Sequence, residues 1–180
     1  MPIVDRIDRA GPPTDPQVVR IFAALNAEEN RVTNMKATLL RSLPAFDAFS
    51  HWKDVKAAVR ALVGDHGVSV YSHAISTASG CLLCSTYFRR LLKDEGIEPD
   101  GWQPTGDDVL LVDLGAVVGQ AQPIAAALSA RLKARFDDAA IVNLVAYGAT
   151  MLATNAFNTA LNIPLDDYLE PYRAPIAKTA

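Results

Sequence analysis

The chain has 180 residues, half of them apolar and 21% charged, with a formal net charge of −3. A chain of this length buries roughly 70% of its unfolded surface in one domain and needs no disulfide or metal to fold. Lysines and arginines are scattered, which argues against a basic footprint for nucleic acid or a membrane surface.

Residues 1–15 read as an extended N-terminal arm rich in proline (Pro12, Pro13, with Pro16 following). The arm lacks the apolar core of a signal peptide. No run of about 18 uninterrupted apolar residues follows it, so a cytoplasmic chain without a membrane span is expected. Residues 16–180 are expected to form a single all-α domain of about six to eight helices.

The first helix opens at Asp15-Pro16, an N-cap followed by proline at the first helical position. Val18, Val19, Ile21, Phe22 and Leu25 carry it to about Glu29. Helical spacing returns over Met35–Leu43 and Ala45–Val63, with an interruption at Pro44. In the second of these, Phe46, Phe49, Trp52, Val55, Val59 and Leu62 recur at three- and four-residue steps. Gly64-Asp65-His66-Gly67 is expected to break the pattern. Two further helices, Val68–Ala78 and Leu82–Lys93, are separated by Ser79-Gly80, and Glu95-Gly96 closes the second.

Residues 96–106, with three glycines and two prolines, read as a loop. Helices over Asp107–Val118 and Ile124–Phe136 come next. Asp137-Asp138 then caps a long apolar run, Ala139–Leu161, which ends at Asn162-Ile163-Pro164. The polar stripe in that run (Asn143, Tyr147, Thr150, Thr154, Asn155, Asn158, Thr159) predicts a buried helix. Its asparagines are expected to bond either within one subunit or across an interface. No run bounded by hairpin signals predicts a strand.

The two cysteines are Cys81 and Cys84, in Gly80-Cys81-Leu82-Leu83-Cys84. This spacing lets two thiols close a disulfide, or hold one metal, with little backbone movement. With Ser79 as N-cap, Cys81 falls in the first turn of its helix, where backbone N–H groups and the helix dipole favour a thiolate. A zinc site drawn from both cysteines with His66 and His73 is disfavoured, because the histidines are seven apart. The strand-first context of thioredoxin is absent. The Asp107-Asp108 and Asp137-Asp138 pairs read as caps, and Arg89 and Arg90 as solvated. Trp52, Tyr71, Tyr87, Phe88 and Phe157 read as core or pocket wall.

Several segments together resemble the alkylhydroperoxidase D-like and carboxymuconolactone decarboxylase superfamily over roughly residues 30–170. They are Asn34-Met35-Lys36 through Leu43-Pro44-Ala45-Phe46, Thr77 through Cys84, Leu91 through Gly96, Phe136 through Val142, and Asn155 through Pro164. The resemblance implies an all-helical homo-oligomer (dimer, trimer or hexamer), often joined through the long apolar helix. It also implies a thiol peroxidase in which Cys84 attacks the peroxide and Cys81 resolves it as a disulfide. No cofactor would be bound. An external dithiol such as a lipoyl group, or a peroxiredoxin, would be the redox partner.

The peroxidase branch carries Glu-x11-Cys-x-x-Cys-x3-His, and here the glutamate and histidine positions hold Ser69 and Phe88. The proton relay is therefore missing, and acid–base help of that kind is worth roughly 10²–10⁴-fold. His73, one turn after Ser69 on the same helical face, is the nearest candidate replacement, or else an interhelical hydrogen bonder. Two other functions stay open: a carboxymuconolactone decarboxylase-like enzyme acting on a small organic acid, with His73, Arg89 and Arg90 as its polar groups, or a helical oligomer without catalysis.

Overall fold

The structure, a computed structural model, describes residues 2–6 and 13–174. The rest of the expected arm, and residues 175–180 of the expected domain, lie outside the described residues. Among the described residues the chain is all-α, with eight α-helices and no strand. In order they are α1 (Pro16–Glu29), α2 (Asn34–Leu39), α3 (Leu43–Ala48), α4 (Lys53–Ala78), α5 (Leu82–Asp94), α6 (Asp107–Gly119), α7 (Ala126–Arg135) and α8 (Asp138–Ala160). A 3-10 helix, Asp167–Tyr172, follows α8.

Three expected boundaries shift. Residues 45–63 are not one helix: α3 stops at Ala48, and α4 starts only after Trp52. Leu43-Pro44 opens α3 instead of interrupting a helix, with the Ser42 hydroxyl accepting from the Ala45 N–H, since proline fits the first helical turn. The break expected over Gly64–Gly67 is only a kink. Gly64 alone leaves helical geometry (φ +71°, ψ 178°), and the helix resumes at once.

Helix α4 is the central element and packs on α5, α6 and α8. Val59, Val68, Val70, Tyr71 and Ile75 of α4 share one apolar cluster with Leu92 of α5, Leu111 and Leu114 of α6, Leu132 of α7, and Leu144 and Tyr147 of α8. Helix α6 approaches α4 very closely. A Cβ on Gly119 would stand 2.6 Å from the Ile75 carbonyl oxygen.

The α4–α8 seam carries buried polar pairs as well. Tyr71 donates its hydroxyl to the Leu144 carbonyl (3.0 Å), and the Ser72 and Tyr147 hydroxyls meet at 2.6 Å. Asn155 donates to the Ser76 and Ser79 hydroxyls at 3.3 and 2.9 Å. The α8 asparagines Asn155 and Asn158 thus bond within the subunit. The Asp137 carboxylate caps α8 by accepting from the Ala140 N–H at 2.7 Å. Asp107 and Asp108 do not cap α6. They sit in its first turn and pair with Arg135 and His66.

Pro2–Arg6 lie against their own subunit: the Ile3 N–H donates to the Leu161 carbonyl, and Arg41 donates to the Asp5 carbonyl.

Candidate active site

The turn between α4 and α5 sets the two cysteines. Ser79 is the C-cap of α4, and Gly80 follows it in the left-handed region (φ +71°). The Gly80 N–H donates to the Thr77 carbonyl and the Cys81 N–H to the Ser76 carbonyl, which is the paired closure of a Schellman turn. Ser79 is therefore not the N-cap of α5; Cys81 is. Its backbone closes α4, and its sulfur accepts the Cys84 N–H at 3.4 Å as the cap of α5. The reason is local: a glycine able to take positive φ ends α4 two residues before α5 begins.

Both thiols are free and buried, at 1% and 4% exposure. Their electrostatics differ. The Cys81 thiol is lowered from its ordinary value. The S–H of Cys84 turned toward it is the largest cause, and burial opposes the shift. The backbone N–H groups of Cys84 and Leu83 and the Thr159 side chain add to the lowering. The Cys84 thiol is raised. The causes are its hydrogen bond to Cys81, burial and the Cys81 charge, against a lowering contribution from Asn158. The pair is therefore asymmetric: Cys81 is the thiol whose charged form its surroundings favour, and Cys84 the one whose charged form they oppose. Asn158 of α8 donates its amide N–H to the Cys84 sulfur at 3.2 Å.

Cys84, and not Cys81, opens onto a cavity of about 490 Å³. Five stretches of chain converge on it. Leu83, Tyr87, Phe88 and Arg90 come from α5, and Met151, Thr154 and Asn158 from α8. Trp52 and Lys56 come from the start of α4, Arg31, Thr33, Met35 and Lys36 from around α2, and Asp166, Tyr168 and Leu169 from the chain after α8. Four cationic side chains face a single carboxylate there. Arg31 and Arg90 flank the Tyr168 ring at 4.0 and 5.8 Å. Four buried side-chain polar atoms among the described residues have no hydrogen-bond partner, and three belong to this cavity: Arg90 Nε, Asn158 Oδ1 and Asp166 Oδ2. Buried donors and acceptors left unmet in this way cost stability.

His73 is not in this cavity. It lines a second one of about 310 Å³, with Trp102, Pro99, Pro104 and Val112. Burial, and then the Arg89 charge, lower its pKa to about 4 against the opposing pull of Asp100, so it is neutral at pH 7. The two positions of the missing relay are accounted for as well. Phe88 is buried in the wall beside Cys84, and Ser69 donates its hydroxyl to the Asp65 carbonyl at 3.1 Å.

His66 is held between Glu95 (2.6 Å) and Asp108 (3.0 Å). Its pKa is raised, since those two carboxylates outweigh burial. Among the described residues no three His, Cys, Asp or Glu side chains gather to hold a metal. Arg89 is not solvated. It is 6% exposed and bonds both oxygens of Asp100 and one of Glu98, so the 96–106 loop neutralises it.

Sequence reasoning found the two thiols and three aromatic wall residues, Trp52, Tyr87 and Phe88. It missed Asp166, Tyr168, Arg31, Lys36 and Lys56. No motif marks them, and only the fold brings their segments to Cys84. No protein-family model, curated protein or solved structure matches the chain.

Proposed function

We propose that the protein is a thiol-dependent oxidoreductase of the peroxidase type, working through the Cys81–Cys84 pair. The observation that carries this reading is the placement of Cys84 at the cavity wall with the Cys81 sulfur behind it, 3.4 Å from the Cys84 backbone nitrogen. The peroxide meets Cys84. As Cys84 attacks the distal oxygen, its proton passes to Cys81, the O–O bond breaks, and the leaving alkoxide takes up a proton to become an alcohol. Cys84 is then a sulfenic acid. The Cys81 sulfur attacks it, water leaves, and a disulfide closes across the three-residue spacing. Overall, two thiols and one hydroperoxide give one disulfide, one alcohol and one water. An external dithiol, such as a lipoyl group, or a peroxiredoxin partner in the cytoplasm would exchange with the disulfide and restore the pair. The same reading has the chain self-associate through the outward face of α8.

The test is a free-thiol count after one equivalent of hydrogen peroxide at pH 7. Wild type should lose both thiols within minutes and form a disulfide. Cys84→Ser should form none. Thiols that stay free for hours in wild type would overturn the reading. The four cations around the cavity favour a second reading, a carboxymuconolactone decarboxylase-like enzyme holding a small organic acid by its carboxylate. Its mark would be turnover of a carboxylated lactone that survives Cys84→Ser.

A further inference from the structure

Peroxide cleavage leaves an alkoxide that must be protonated; Phe88 has no proton to give, and the Ser69 hydroxyl is spent on the Asp65 carbonyl outside the cavity lining. The cavity holds one carboxyl group, Asp166. Its position is set by the turn after α8. Asn162 in the left-handed region (φ +52°) reverses the chain, and the side-chain amide of Asn34 donates to the Pro164 and Leu165 carbonyls at 3.0 and 3.1 Å. The Asn34 N–H then donates to Asp166 Oδ1 at 2.7 Å, which fixes the carboxyl plane. Asp166 is the N-cap of the 3-10 helix, but its side chain makes no capping bond; only its carbonyl accepts the Leu169 N–H. Oδ2 is left buried, without a partner, in a side chain that is 93% shielded and belongs to the cavity wall.

We propose that Asp166 is the proton donor to the leaving oxygen of the peroxide attacked by Cys84, in place of the missing glutamate–histidine relay. The inference rests on the thiol reading above. In its protonated form the carboxyl gives its Oδ2 proton to the departing alkoxide, which becomes the alcohol, and Asp166 is left ionised until solvent reprotonates it. Burial holds Asp166 above the ordinary carboxylate range. The Asn34 N–H and the charges of Arg6 and Arg31 pull the other way, and Asp167 adds to the rise. The orphaned Oδ2 gains its only hydrogen bond when a ligand oxygen arrives, so donor and substrate complete each other.

The test compares two oxidants of the thiol pair in wild type and Asp166→Asn, which keeps the side-chain size and an acceptor for the Asn34 N–H. With tert-butyl hydroperoxide the leaving group is a strongly basic alkoxide and needs the proton. With peracetic acid it is acetate and does not. The expected result is a loss of about 100-fold with tert-butyl hydroperoxide and no loss with peracetic acid. An equal loss with both oxidants would make Asp166 a structural residue and overturn the proposal, as would no loss with either. A wild type inert to both would remove the thiol reading itself, an outcome distinct from failure at Asp166 alone.

Discussion

At the scale of single residues, the cysteine pair divides its labour by environment. Cys81 receives the N–H groups at the start of α5, and Cys84 sits among Phe88, Tyr87 and Leu83. A lowered pKa means that the charged form is gained on the alkaline side of a lower midpoint. Thiolate absorbance at 240 nm should therefore show one thiolate per chain appearing with a midpoint near 7, and the second thiol still protonated at pH 10. Cys84→Ala removes the S–H that is the largest cause of the shift, and should move the remaining midpoint up toward the ordinary cysteine value of about 8.5. Cys81→Ala should leave no thiolate below that value. A low midpoint that survives in Cys81→Ala would put the charge on the other sulfur. The pair itself was legible in the sequence because its chemistry is local, four residues from end to end. Asp166 was not, because nothing in Leu165-Asp166-Asp167 distinguishes a buried carboxyl from a surface one until the Asn34 amide ties that segment over Cys84.

Among the elements, most of the fold was readable from polar and glycine punctuation. Asp15 and Asp137 cap α1 and α8 as their side-chain chemistry requires, and the Gly-rich and Pro-rich loop after α5 falls where expected. The misreadings share a cause. Gly64 has the pattern of a stop, yet one residue at positive φ only kinks α4, whose second half is held by Val68, Val70, Tyr71 and Ile75 in the core. Cysteine is not a usual cap, so the role of Cys81 was hidden until the Schellman turn ended α4 at Ser79. The spacing of α4 and α6 was also invisible, because a glycine in a helix reads as a weakness and not as a contact. Gly119 supports a direct prediction. Alanine at this last residue of α6 would gain at most part of the roughly 1 kcal/mol that separates it from glycine inside a helix. Its Cβ, however, would meet the Ile75 carbonyl oxygen at 2.6 Å and the Ala78 Cβ at 2.8 Å, atoms of α4 that are backbone or one bond from it. Overpacking of this kind costs roughly 1–3 kcal/mol. Gly119→Ala should lower the urea midpoint without changing the helical circular dichroism at zero denaturant. An unchanged or higher midpoint would show that α6 can slide.

On the scale of the whole molecule, the two faces of α8 differ in composition and exposure. Its inward face holds Leu144, Tyr147, Met151, Asn155 and Asn158 against the core and the cysteine cavity. Its outward face exposes Val142, Ala146, Ala149, Ala153, Ala156 and Ala160, at alternating steps of four and three. Val142 is 65% exposed. That alternation is a heptad seam, which keeps one line of the helix facing a partner helix, and alanine lets two backbones approach closely. Under the self-association proposed above, this face would meet its counterpart on a second copy across a two-fold axis, where an interface is self-complementary. The same helix is long and apolar enough to cross a membrane by length and composition, so the partner has to be identified by experiment. Sedimentation velocity of wild type should give a species heavier than the 19.3 kDa chain. Ala149→Glu combined with Ala153→Glu places like charges across the seam and should return the protein to the monomer mass. On an isolated chain those positions face water, where substitutions usually change stability by no more than about 0.5 kcal/mol, so the thermal midpoint of the variant reports whether wild-type stability draws on the second copy. A wild type that sediments as a monomer at micromolar concentration would remove self-association through α8, and the cysteine cavity, built entirely from one chain, would then have to work alone.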